Sequence, residues 1–175
     1  MKTVKVTIKG ISPLLMHKFP HVSVDGIDKM KPHEQAELAA YRMDSGELYI
    51  PGVNIQRALV AAAGFSKGKG RASLAKEAAA CLLVNEAQCG LGVKGYVLDS
   101  RPCVIAATKG RILRHRPRLD DWECTFSLSY DETLLSEAQV RRIVDDCGTR
   151  VGLLDFRPQC RGPFGRFMVT NWEMD

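Results

Sequence analysis

The strongest constraint on the fold is the stretch 122–148. Trp122, Cys124, Phe126, Leu128 and Tyr130 alternate with Glu123, Thr125, Ser127 and Ser129. That period of two belongs to a strand with one buried face. A capping box, Ser136-Glu-Ala-Gln139, follows closely, with Leu135 and Val140 spaced for a hydrophobic staple. Val140, Ile143, Val144 and Cys147 then fall on one helical face, and Gly148 stands at the C-terminal stop position. A half-buried strand joined to an amphipathic helix requires a sheet with helices packed on one face.

The rest of the chain supplies partners for that unit. In residues 2–9, Val4, Val6 and Ile8 alternate with Thr3, Lys5, Thr7 and Lys9, which predicts a second half-buried strand ended by Gly10 and Pro13. Residues 20–32 carry no period and read as a long loop. Ala36, Ala39, Ala40 and Met43 predict a helix over 34–43, and Leu48-Tyr49-Ile50 a short strand. Asn54 is placed to cap a helix whose Ile55, Ala58, Leu59, Ala62 and Ala63 form an apolar face, and Ser73 to cap another with Leu74, Ala78, Cys81 and Leu82 inside. No strand pattern stands out over 85–95. Strand character returns over 96–107, interrupted by Arg101-Pro102, and Phe167 to Trp172 reads as the last strand. The order predicts one α+β domain over 1–175 with a ferredoxin-like core of the RNA-recognition-motif type. That core would carry a long loop after its first strand and a protruding basic hairpin inserted around 96–120.

Two segments concentrate positive charge in a chain of net charge +5. The first is Lys109-Gly-Arg111-Ile-Leu-Arg114-His-Arg116-Pro-Arg118, and residues 101–118 contain no carboxylate. A basic hairpin there would offer Lys109, Arg111, Arg114, Arg116 and Arg118 to a phosphate backbone, whereas the plain alternative is a solvated surface hairpin. The second runs from Gly152 to Trp172 and packs Gly152, Gly162 and Gly165 among Arg157, Arg161 and Arg166. Glycine permits close backbone approach and arginine a planar fork for phosphate oxygens. The plain alternative is that these glycines only turn the chain. A smaller run, Ser66-Lys-Gly-Lys-Gly-Arg-Ala72, is either a surface connector or a further anion contact. Exposed aromatics such as Phe164 or Tyr49 could stack on bases, unless they pack in the core.

Several classes of chemistry find no support. The pattern is neither a P-loop nor a dinucleotide fingerprint, and no cofactor motif is present. Cys81, Cys89, Cys103, Cys124, Cys147 and Cys160 form no C-x-x-C pair, so no zinc site is expected. The first residues alternate charged and apolar side chains where a signal peptide needs an apolar run. No window reaches the length of a membrane span. Free thiols and a cytoplasmic location are the corresponding expectations. His17, His21 and His33, with Asp25 and Asp28, gather near the first-strand loop, and histidine suits proton transfer near neutral pH.

Three stretches together carry a family likeness: Val6-Thr-Ile-Lys-Gly-Ile-Ser-Pro-Leu14, Tyr49-Ile-Pro-Gly-Val-Asn-Ile-Gln-Arg57, and Gly162-Pro-Phe-Gly-Arg-Phe167. The chain resembles the repeat-associated (RAMP) superfamily, in particular the backbone subunits of CRISPR interference complexes and small phage and prophage proteins of similar pattern. The resemblance implies a modified ferredoxin-like palm with a thumb-like hairpin. Such a protein would bind the sugar-phosphate backbone of single-stranded RNA and assemble head-to-tail along it, as a homo-oligomer or filament. It would place the glycine loop at Arg161, Gly162, Gly165 and Arg166, and the thumb at Arg111 to Arg118. The expected function is sequence-independent binding of single-stranded nucleic acid, RNA before DNA. The alternatives are a metal-independent endoribonuclease using His17, His21, His33, Asp25 or Asp28, and a phage structural subunit that binds protein through the terminal strand or the helix at 54–63.

Overall fold

The computed structural model describes residues 1–20, 23–68, 70 and 72–174. His21, and Lys69 and Arg71 of the short basic connector, lie outside the described residues. The fold is α+β. Its central sheet contains β1 (Lys2–Gly10), β4 (Leu83–Val84), β8 (Glu123–Tyr130) and β9 (Phe167–Met174), in the order β4-β8-β1-β9 and antiparallel throughout. In the register of β1 on β8, Val4 faces Leu128, Val6 faces Phe126 and Ile8 faces Cys124, all buried. On the opposite face the hydroxyls of Thr7 and Thr125 meet at 2.9 Å and those of Thr3 and Ser129 at 3.1 Å. The alternation in both sequences therefore produces one dry and one polar face.

Helices α3 (Gly52–Ala63) and α5 (Glu137–Asp146) contribute Ile55, Leu59, Ala62, Val140, Ile143 and Val144 to the same core cluster as the sheet. The Gln56 amide ties α3 to β4, donating to the Leu82 carbonyl (2.6 Å) and accepting from Val84 N (2.9 Å). The capping box at Ser136 forms as its sequence predicts, with the Gln139 and Ser136 side chains each accepting the other's backbone N–H.

A second sheet stands apart in the order β2-β7-β6, made of β2 (Leu14–Leu15), β6 (Val97–Val104) and β7 (Arg111–Leu119). The β6–β7 pair is the hairpin expected around 96–120, and α2 (Pro32–Ala39) packs against it. Elsewhere β3 (Tyr49–Pro51) pairs with β5 (Gln88–Gly90), and α4 (Ala75–Cys81) follows α3.

Several boundaries differ from expectation for local reasons. The segment read as loop contains a short helix, α1 (Val24–Asp28), whose N-cap Ser23 accepts from Gly26 N. The next helix ends at Ala39 rather than at residue 43, because Ala40 is already extended. Asn54 lies inside the first turn of α3, with Pro51 at the cap, because Gly52 begins the helix where a β-carbon would strike the Glu86 carbonyl oxygen. Leu74, not Ser73, precedes α4. β6 runs straight through Arg101-Pro102, since an edge strand tolerates a missing N–H. After α5 a π-turn over Cys147–Val151 absorbs Gly148, and the chain breaks at Gly152 with φ +73°. Gly148 is needed there for packing: a β-carbon would meet the Phe167 carbonyl oxygen.

Candidate functional site

The hairpin arginines do not stand free. Antiparallel register sets Asp99 opposite Arg116 and Arg101 opposite Arg114, so these side chains share a face with Arg118. Arg101 grips Asp99 with two hydrogen bonds of 2.7 Å, and Arg118 Nη1 reaches the same carboxylate at 3.5 Å. Burial would raise the Asp99 pKa, but the hydrogen bonds and charges of Arg101, Arg116 and Arg118 outweigh it and hold the carboxyl below its ordinary range. Arg118 also pairs with Asp120 at 2.7 Å, and Arg114 with Asp28 of α1 at 2.7 Å. Arg116 is buried against Asp155 of the C-terminal loop. Residues 101–118 lack carboxylates in sequence, yet neighbouring segments supply four. Lys109, in the left-handed region at the hairpin tip, and Arg111 remain exposed.

In the glycine-rich loop the glycines serve the loop's own packing. A β-carbon on Gly162 would strike the Phe156 carbonyl oxygen, and one on Gly165, at φ +73°, the Leu153 carbonyl oxygen. The loop is stitched to the chain after β1: Gly165 N donates to the Pro13 carbonyl (2.8 Å), Ile11 N to the Arg166 carbonyl (2.9 Å), and Asp155 N to the Leu15 carbonyl (3.0 Å). Phe164 is buried beneath the Arg101 guanidinium, 4.7 Å from ring centre, so its face is not open to a base. Tyr49 is half-buried and meets Tyr41 edge-on at 5.7 Å. Arg161 and Arg166 are exposed.

Between α3 and this loop lies an open cleft of about 450 Å³. Asn54 and Arg57, one helical turn apart, line one wall beside Ala58 and Ala61, while Asp155, Arg157 and Gln159 line the other. Arg157 is held by its own loop, donating from Nη1 to the Leu154 carbonyl (2.7 Å) and from Nη2 to Gln159 Oε1 (3.0 Å). Among the described residues neither Arg57 nor Arg157 has a carboxylate partner. His17 also faces the cleft, its Nδ1 3.4 Å from Asp155. Burial raises the Asp155 pKa, but His17 and Arg116 beside it hold that carboxyl below its ordinary range.

The structure thus brings together His17 and Arg157 from the residues singled out in the sequence. It leaves His33 exposed in the first turn of α2 and Asp25 exposed on α1, and spends Asp28 on Arg114. Arg57, Asn54 and Tyr41 escaped notice as site residues. The available signal was the polar pair Asn54 and Arg57 at i, i+3 on a helix face otherwise carrying Ala58 and Ala61. No cluster of three metal-ligating side chains occurs among the described residues, and no helix among them is long and apolar enough to cross a membrane. Fold and cleft together define an α+β protein with an open groove between a helix and a glycine-bounded loop, lined by two arginines without a carboxylate partner among the described residues and by Asp155, whose carboxylate is paired with Arg116 and His17. The sequence matches no protein-family model and no curated protein.

Proposed function

We propose that the protein binds single-stranded nucleic acid, RNA in preference to DNA, by holding its sugar-phosphate backbone in the cleft between α3 and the loop. The observation that carries this reading is the pair Arg57 and Arg157, two arginines in one groove without a carboxylate partner among the described residues. Guanidinium groups left in that state attract phosphate, and the neighbouring N-terminal end of α3, where Pro51 offers no capping side chain, adds a favourable dipole. Arg161 and Arg166 on the same loop, and Lys109 and Arg111 at the hairpin tip, are further exposed positive charges. The preference for RNA and a place among RAMP-like proteins rest on the resemblance described above.

A ferredoxin-like core is supported by the strand order. Taking β1, α3, β4, β8, α5 and β9 as a β-α-β-β-α-β unit puts the last strand beside the first, followed by the third and second. Fluorescence anisotropy with labelled single-stranded RNA, single-stranded DNA and duplex DNA tests the function. Single-stranded RNA should bind best, and its affinity should fall about tenfold or more between about 50 and 200 mM salt if three or more phosphates are held. Salt-insensitive binding, or none, contradicts the proposal.

A second reading, metal-independent RNA cleavage, is favoured by His17 standing beside Asp155 in the cleft, since a carboxylate can orient an imidazole for proton transfer. Shortened RNA formed in the presence of a chelator, and no longer formed by His17→Ala, supports cleavage. RNA recovered intact from a stable complex rejects it.

A further inference from the structure

We infer that an unpaired base of the bound strand stacks on Phe65, just beyond one end of the cleft; this rests on the phosphate-binding reading above. The cleft-lining residues Asn54, Ala58 and Ala61 recur at intervals of four and three along α3, and Phe65 stands four positions after Ala61. Gly64 keeps a right-handed helical backbone past the end of α3, and Phe65 N still donates to the Ala62 carbonyl (2.9 Å). Phe65 therefore follows Ala61 by one helical turn, about 5.4 Å along the axis. The rest of the lining leads to the same place. Gly152 belongs to the cleft, and Arg150, two residues before it in the π-turn, sets its guanidinium 5.1 Å from the centre of the Phe65 ring.

The surroundings of the ring suit a base. Phe65 is 50% exposed, although a phenylalanine side chain gains by burial. The adjoining pocket, of about 370 Å³, is lined by Phe65, Ser66, Lys67, Leu74, Gln139 and Arg142. It offers apolar contact at the ring and Leu74, positive charge at the exposed Lys67 and at Arg142, and the hydroxyl of Ser66, which is buried without a hydrogen-bond partner among the described residues. Asp146 pairs with Arg150 at 3.2 Å and with Arg142 at 3.8 Å, so one carboxylate offsets part of this charge and braces Arg150 against the ring. An aromatic platform among cations is the arrangement that holds a single strand without reading its sequence, because every base has a π-face. The stack therefore sets no base preference.

The test compares a uridine oligoribonucleotide with an abasic strand of the same length, by anisotropy on the full chain at several salt concentrations. Both strands carry the same phosphates, so the ratio of their affinities reports the bases alone. The uridine strand should bind about fivefold tighter or more, the low end for one base on an aromatic ring. Phe65→Ala should bring that ratio toward unity and leave the salt slope unchanged. Phe65→Trp should keep the ratio and add indole fluorescence that the uridine strand quenches and the abasic strand does not. Arg57→Ala/Arg157→Ala should weaken both strands and keep the ratio. Equal, salt-dependent binding of the two strands by the wild-type protein overturns the stacking site and leaves phosphate binding standing. A ratio that survives Phe65→Ala also overturns it, because the base then stacks elsewhere. Absence of quenching in Phe65→Trp overturns it however well the alanine variant folds. Failure of both strands to bind the wild-type protein removes both proposals at once.

Discussion

The β6–β7 hairpin and the cleft beside α3 hold their arginines in opposite electrostatic states. Arg101, Arg114, Arg116 and Arg118 of the hairpin each reach a carboxylate, contributed by Asp28, Asp99, Asp120 or Asp155. Arg57 and Arg157 in the cleft reach none among the described residues. The denser basic segment in the sequence is therefore the more neutralised one in space. Charge available to a ligand depends on which acidic residues the topology brings alongside, and linear counting over 101–118 misses all four. The hairpin's charges fix its own geometry: Asp155 ties it to the glycine-rich loop, and Asp28 ties it to α1.

The contrast can be sharpened first through the loop that shapes the cleft. Gly162→Ala would drive a methyl group into the Phe156 carbonyl and should cost about 3 kcal/mol, read as a shift in denaturant midpoint, with loss of RNA affinity as the cleft wall moves. Asp99→Ala strands Arg101 and Arg118 without their shared acceptor. Because both guanidinium groups keep partial contact with water, the cost should be about 2 kcal/mol, below that of a fully buried pair, with RNA affinity little changed.

Acid should expose the same network. Asp99 and Asp155 both titrate below the ordinary carboxylate range when folded, so the unfolded chain binds more protons over that window. Their contribution is complete above the unfolded aspartate value, roughly pH 4, and is lost as pH falls through the lower folded values. Chemical unfolding measured down that range should show an acid limb that is shallower in Asp99→Asn. Smallest of all, Arg114→Ala removes an ion pair whose Asp28 partner is half exposed, and should cost about 0.5 kcal/mol.

The sequence revealed what local periodicity encodes. β1 and β8 follow from alternation and α5 from its capping box, because each signal lies within one short segment. The start of α3 is hidden from a local reading, because Asn54 is a common capping residue, while the close approach of Gly52 to Glu86 depends on a segment more than thirty positions away. The glycine-rich loop was visible as a special segment, but the purpose of Gly162 and Gly165 required knowing that Phe156 and Leu153 lie against them. The cleft was legible only in pieces: His17 and Arg157 stand out singly, and Asn54 and Arg57 form a polar pair on one helix face. Its walls, Arg57 and Arg157, are a hundred residues apart, and nothing in either local pattern marks the other.

The most direct test of the central claim compares two variants in one salt-titrated RNA-binding series. Arg57→Ala/Arg157→Ala should lower single-stranded RNA affinity more than tenfold and reduce the slope of log affinity against log salt by about 1.4, two contacts at about 0.7 each. Arg114→Ala should leave both quantities near wild type. The reverse outcome, with affinity carried by Arg114 and indifferent to Arg57 and Arg157, would contradict the assignment of phosphate binding to the cleft.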